Sequence, residues 1–175
     1  MSEPVRVLIS ACLLGWKVRY DGGHKRCAPL LEAFGQRVRW IPVCPEVECG
    51  LSTPREPMIL TGDPASPRLV AAVTGIDHTD RMVRWARERL RELESLNLCG
   101  YVCKGNSPSC SGKGRIDVNG EASSVRAGTG LFTRMVLDRF PMIPVEEEGP
   151  LQDAVPREGF LSRALALQRS GGFSP

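Results

Sequence analysis

The chain has 175 residues, a formal net charge of +3 and seven cysteines. That length supports one domain with a sizeable core, and the mild positive charge falls far short of the clustered Lys/Arg excess of a dedicated nucleic-acid binder. An odd number of irregularly spaced cysteines does not read as a disulfide framework, and no apolar stretch approaches the length needed to span a bilayer.

In chain order, Val5 to Ser10 is a β-branched apolar run that reads as a buried strand. Its continuation to Gly15 does not read as a signal core: it contains Arg6 and lacks a basic lead and a small-residue cleavage site. A cytoplasmic, reducing location without a membrane partner is therefore expected, and there metal binding or thiol chemistry outranks disulfides. Ala28 to Gly35 has the apolar spacing and terminal glycine of a short helix, and Arg37 to Val43 reads as a second strand. Thr79 to Leu96 is the clearest helix, with Thr79 as its cap and Met82, Val83, Ala86, Leu90 and Leu93 at helical spacing.

Gly100 to Lys104 reads as a strand and Arg115 to Val118 as an edge strand ending at the turn Asn119–Gly120. A helix is expected over Gly128 to Phe140, a last parallel strand over Met142 to Val145, and helical spacing returns from Phe160 to Leu167. Alternating strands and helices predict an α/β fold, a single three-layer Rossmann-like domain with a mostly parallel sheet. Residues 1–169 are assigned to that domain and 170–175 to a flexible tail.

Ligands in an open α/β sheet bind beyond the carboxyl ends of the strands. Cys12 follows the first strand, Cys44 ends the second, and Cys110 lies in the loop after the Gly100 to Lys104 strand, so all three are expected at one edge. Structural zinc usually takes a closed tetrahedral set built from close pairs such as C-x-x-C, and no such pair exists here. Soft thiolates suit iron–sulfur clusters, and three of them on a four-iron cluster leave one iron free to take a substrate sulfur. Buried small hydrophobes remain the plain alternative, which fits Cys99 and Cys103 best.

Six segments in order resemble the thiouracil desulfidase family: Ser10 to Gly15 (SACLLG), Val18 to Lys25 (VRYDGGHK), Val43 to Val47 (VCPEV), Leu51 to Pro57 (LSTPREP), Ser107 to Cys110 (SPSC) and Val145 to Gly149 (VEEEG). The resemblance spans about Val5 to Leu167. It implies a 4Fe-4S cluster on Cys12, Cys44 and Cys110, with Glu46 and Ser107 as catalytic residues. It also implies removal of sulfur from a thiolated uracil-type base without net redox change, and action on thiolated uridine in RNA by longer relatives. Two departures stand out: Ser111 follows Cys110 where relatives carry glycine, and Cys103 replaces an apolar residue.

Glu46 read by itself is a loop carboxylate that caps a helix or pairs with Arg55, and Ser107 alone is an ordinary turn serine before a proline. Around the Asp21-Gly22-Gly23 turn, Tyr20, Asp21, His24 and Lys25 are candidates to line the pocket or meet a phosphate. Gly128 and Thr129 offer a candidate anion contact at a helix start. Asp77 and Thr79 read as a cap for the long helix, and Glu146 to Glu148 as a solvated or capping acidic turn. Gly105 to Lys113 imitates a phosphate loop, yet its glycine spacing is too long and Gly114 replaces Ser/Thr, so no nucleoside triphosphate is expected. The partner expected is a thiolated pyrimidine, free or within a nucleoside or tRNA; nothing in the sequence sets an oligomeric state. Two other readings stand beside this one: a non-catalytic iron–sulfur or zinc module that recognises thiolated tRNA, and a zinc or redox thiol protein.

Overall fold

A computed structural model of the protein describes residues 3–120 and 123–171. Its first sheet has the order β2-β1-β5-β8 and every pairing in it is parallel. β1 (Val5–Ser10) is central and buried at every position but Arg6, which is why it carries a largely apolar run rather than an alternation. On one side it pairs with β2 (Val38–Val43) along its full length, and on the other with β5 (Gly100–Cys103), which pairs in turn with β8 (Val145–Glu147).

Helices cover both faces, as expected. Beneath lie α1 (Ala28–Phe34) and α5 (Ala154–Arg169), whose Leu30, Phe34, Phe160 and Leu161 pack with Val5, Val7 and Ile9. Gly100 lets α5 approach closely, since a Cβ there would come within 2.7 Å of the Phe160 ring. Above lie α3 (Thr79–Glu94) and α4 (Leu131–Arg139), which bury Ala86, Leu90, Leu93, Phe132 and Val136 with Leu8 and Tyr101. The fifth helix, α2 (Pro45–Glu48), is one turn following β2.

A second sheet departs from the single-sheet expectation. It has the order β4-β3-β6-β7, from β3 (Met58–Asp63), β4 (Ser66–Ala71), β6 (Ile116–Asn119) and β7 (Ser124–Gly128). β6 is an inner strand here, not an edge strand, because β3 pairs with it on one side and β7 on the other. Met58, Leu60, Leu69 and Val118 pack this sheet against Met82 of α3 and Leu131 of α4.

Three boundaries also move. Gly128 ends β7 and the helix begins at Leu131; the last strand starts at Val145; α5 begins at Ala154 because Pro156 falls in its first turn, where its missing N–H is harmless. α5 ends at Arg169, and positions 172–175 of the expected tail lie outside the described residues. No helix among the described residues is long and apolar enough to cross a membrane.

Candidate active site

The strand order reverses between β1 and β5, so the loops after these strands diverge and leave a crevice at their carboxyl ends. Cys12 sits in the 3₁₀ turn Ala11–Leu14 directly after β1 and is buried. Gly15 closes that turn at φ 100°, a conformation that favours glycine, and donates its N–H to the Cys12 carbonyl at 3.2 Å. Cys44 precedes α2, and its backbone N–H is held by Glu48 Oε1 at 2.9 Å.

Cys110 belongs to a loop fixed from three directions. Within the loop, Ser107 Oγ accepts from the N–H groups of Ser109 (3.3 Å) and Cys110 (3.1 Å), while Ser111 Oγ accepts from Ser107 N–H at 2.8 Å. From α4, the N–H groups of Gly130, Leu131 and Phe132 donate to the carbonyls of Ser111, Pro108 and Ser109, each at 2.9 Å, and Thr133 Oγ1 donates to the Cys110 carbonyl at 2.6 Å. From the end of β8, Glu148 pairs with Lys104 Nζ and accepts from Gly105 N–H at 2.7 Å. Glu147 accepts from Gly112 N–H at 2.9 Å, and Glu146 pairs with Arg115 at 2.5 Å. The acidic run is thus a clamp on the loop carrying Cys110 rather than a solvated turn.

All three cysteines line one cavity of about 280 Å³, together with Glu46, Ser107, Tyr20, Arg55, Lys104, Asn106 and Met58. Glu46 Oε2 accepts from Arg55 Nε at 2.8 Å and Nη2 at 2.5 Å, and Glu46 Oε1 accepts from Ser109 Oγ at 2.8 Å. The pairing with Arg55 weighed for Glu46 from sequence is present, and Glu46 is at the same time part of the cavity wall. Asp21 instead lies exposed, its Oδ1 accepting from Gly23 N–H at 2.9 Å; that bond and Arg19 hold its carboxyl below the usual range. His24 accepts from Arg26 N–H through Nδ1, and Lys25 donates its backbone N–H to the Cys12 carbonyl; neither side chain lines the cavity. Gly128 is buried against Val118 and Ile116, and Thr129 Oγ1 accepts from Gly114 N–H at 3.4 Å, so both sit away from it. The helix-start amides once available for an anion are those already bonded to the Cys110 loop.

Burial pushes the Cys12 thiol up to about 11 and the Cys110 thiol up to about 12, and raises Cys44 as well. Proximity adds to this, because a charge on Cys44 raises both Cys12 and Cys110. Three thiolates are therefore unfavourable here without a cation among them. Among the described residues no three His, Cys, Asp or Glu side chains close around a single metal ion. Cys49 donates to the Glu46 carbonyl at 3.2 Å and Cys103 to the Glu146 carbonyl at 3.5 Å, so each thiol has a local backbone partner.

Sequence reasoning missed Lys104 and Asn106, which line the cavity, and Ser109, which bonds to the Glu46 carboxylate. Ser109 lies inside the SPSC motif, and its even spacing from Ser107 was the available signal.

A two-sheet α/β domain with a thiol-lined crevice at the ends of its parallel strands is the class that this geometry defines. The chain belongs to the 2-thiouracil desulfurase family, whose model matches residues 7–148. Among solved structures it is similar to the 4Fe-4S-dependent thiouracil desulfidase TudS, at 34% identity and a TM-score of 0.69, covering 93% of this chain and 99% of TudS. It is also 31% identical over 136 residues to the Bacillus subtilis (strain 168) protein YbbK, covering 74% of this chain and 88% of YbbK.

Proposed function

We propose that the protein is a desulfidase that binds a 4Fe-4S cluster through Cys12, Cys44 and Cys110 and converts a thiolated uracil-type base and water to the oxo base and hydrogen sulfide, in the cytoplasm. The observation that carries this reading is the meeting of three thiols, from three separate loops, with Glu46 and Ser107 on one cavity wall. The donor set fits the cluster. Three soft sulfurs lining one cavity favour iron–sulfur binding. When bound, the cluster supplies a soft Lewis acid with one iron lacking a protein ligand, suited to the leaving sulfur.

The chain's own groups handle the water and its proton. Two of the four acceptor directions of the Glu46 carboxylate are filled by Arg55 and one by Ser109, which leaves one on Oε1. That remaining direction makes Glu46 the base for the attacking water. Ser107 Oγ already accepts two loop N–H groups, so its proton is free to hold the water by donation rather than to remove its hydrogen. Tyr20 stands at the cavity mouth with the Arg19 guanidinium 5.3 Å from its ring centroid, and offers a face on which a planar pyrimidine can stack.

Anaerobic reconstitution followed by iron and zinc analysis tests the reading. The expected protein is brown, absorbs near ~400 nm, and loses its iron in each of Cys12→Ala, Cys44→Ala and Cys110→Ala. Full iron retention in the three variants, or a colourless protein holding zinc, contradicts it.

A further inference from the structure

We infer that Arg55 is a positioning residue that joins two parts of the site, aiming Glu46 through Nε and Nη2 and fastening the Val18 to Tyr20 stretch of the cavity wall through Nη2 and its backbone N–H. The inference rests on the desulfidase reading for Glu46, whereas the fastening stands on geometry alone. Arg55 is almost fully buried, its side chain 8% exposed beside a Glu46 that is 14% exposed. Nε and Nη2 both reach Glu46 Oε2 and pin that oxygen from two directions as a single ammonium does not, and with Ser109 Oγ on Oε1 the carboxylate plane is set.

The same Nη2 also donates to the Val18 carbonyl at 2.9 Å, and the Arg55 backbone N–H donates to the Tyr20 carbonyl at 2.8 Å. Val18 and Tyr20 line the same cavity as Glu46. Nη1 is taken by the Ser52 carbonyl at 3.0 Å and Thr53 Oγ1 at 3.2 Å, so the guanidinium is itself held on a rigid turn. One side chain thus sets both the direction of the base and the position of the wall against which substrate sits. Loss of the first lowers turnover; loss of the second loosens substrate binding.

Two variants, Arg55→Met and Arg55→Lys, separate these roles. Met removes the side-chain bonds to Glu46 and Val18 and leaves the backbone bond to Tyr20, while Lys keeps a charge without the fork. With iron content equal to wild type, Arg55→Met is expected to lower kcat by about 30-fold and raise KM by about 5-fold on 2-thiouracil, with Arg55→Lys between the two. In the protein without a cluster, limited trypsin digestion mapped by mass spectrometry is expected to cut after Lys17 and Arg19 about 10-fold faster in Arg55→Met, with cleavage at the other sites that both proteins share unchanged. A kcat within two-fold of wild type in an iron-loaded Arg55→Met overturns the aiming role, and unchanged cleavage overturns the fastening role. Where Arg55→Met does not fold, an Arg55→Lys matching wild type in both kcat and cleavage overturns the inference. A wild-type protein that loads iron but releases no sulfide defeats the desulfidase reading instead, and leaves the cleavage comparison to decide the fastening.

Discussion

Gly130 lies directly against the backbone of Cys110: a Cβ built on it would come within 2.6 Å of the Cys110 nitrogen and 2.5 Å of the Ser111 nitrogen. Both neighbours are backbone, held in place by the bonds between α4 and the loop, so neither can swing aside. Gly130→Ala is therefore expected to destabilise the fold by about 3 kcal/mol and to push Cys110 out of register with Cys12 and Cys44. Thermal unfolding and iron content after anaerobic reconstitution check this; an alanine variant with wild-type stability and iron would show that the loop yields freely.

Thr133 is fully buried and its hydroxyl is bonded to the Cys110 carbonyl at 2.6 Å. Thr133→Val keeps the shape and removes the donor, which leaves a buried carbonyl short of a partner and costs about 1–3 kcal/mol. Thr133→Ser keeps the donor and is expected to lose less. Urea unfolding of the pair reads the difference, and equal losses would assign the effect to packing rather than to the hydrogen bond.

Asp77 caps α3 by accepting from Thr79 N–H at 2.8 Å, and also pairs with Arg68 at 2.6 Å. These partners, the Thr79 bonds foremost, hold its carboxyl at about 2, down from 3.8. A carboxyl lowered in the folded state stabilises above its unfolded pKa, and that stabilisation fades as pH falls through the folded value. Because the side chain is 35% exposed, solvent screening leaves about 1 kcal/mol. Asp77→Asn is expected to be less stable than wild type near pH 7, with the gap closing as pH falls from about 4 towards 2; a gap that stays constant over that range would remove the carboxylate from the explanation.

The parts of the fold that carry the cysteines were legible because their signals are local. Val5–Ser10 is a β-branched, largely apolar run and forms a strand with those bounds. Thr79 opens α3 as expected and Asp77, read with it as the cap, supplies the capping carboxylate, while Thr79 Oγ1 accepts from Leu69 N–H at 2.8 Å and ties the helix to β4. The β3–β4 hairpin was hidden by Gly62, Pro64 and Pro67, which read as loop residues, although Pro67 is tolerated because β4 is an edge strand.

Long-range pairing accounts for what the site concealed. Glu146 to Glu148 look solvated because their partners Lys104, Gly105, Gly112 and Arg115 are distant in sequence and meet them only through the β5–β8 pairing. Gly128 to Gly130 look like a free helix start for the same reason, since the carbonyls that take up the N–H groups of Gly130, Leu131 and Phe132 belong to the Cys110 loop.

Glu46 as the base gives a further expectation. Glu46→Gln keeps one acceptor oxygen for Arg55 and turns its NH2 to Ser109 Oγ, which can accept, but it cannot take a proton, so the variant is expected to load iron normally and to lose roughly 100-fold or more in kcat. Unimpaired turnover in this variant would move the base elsewhere.

The central claim is most directly tested by anaerobic chromatography of 2-thiouracil incubated with the iron-loaded protein, with free sulfide measured in the same sample. The account predicts uracil and sulfide in equal amounts over many turnovers without added oxidant or reductant. Iron-loaded protein that leaves 2-thiouracil intact, or that forms uracil only when a reductant is supplied, would contradict it.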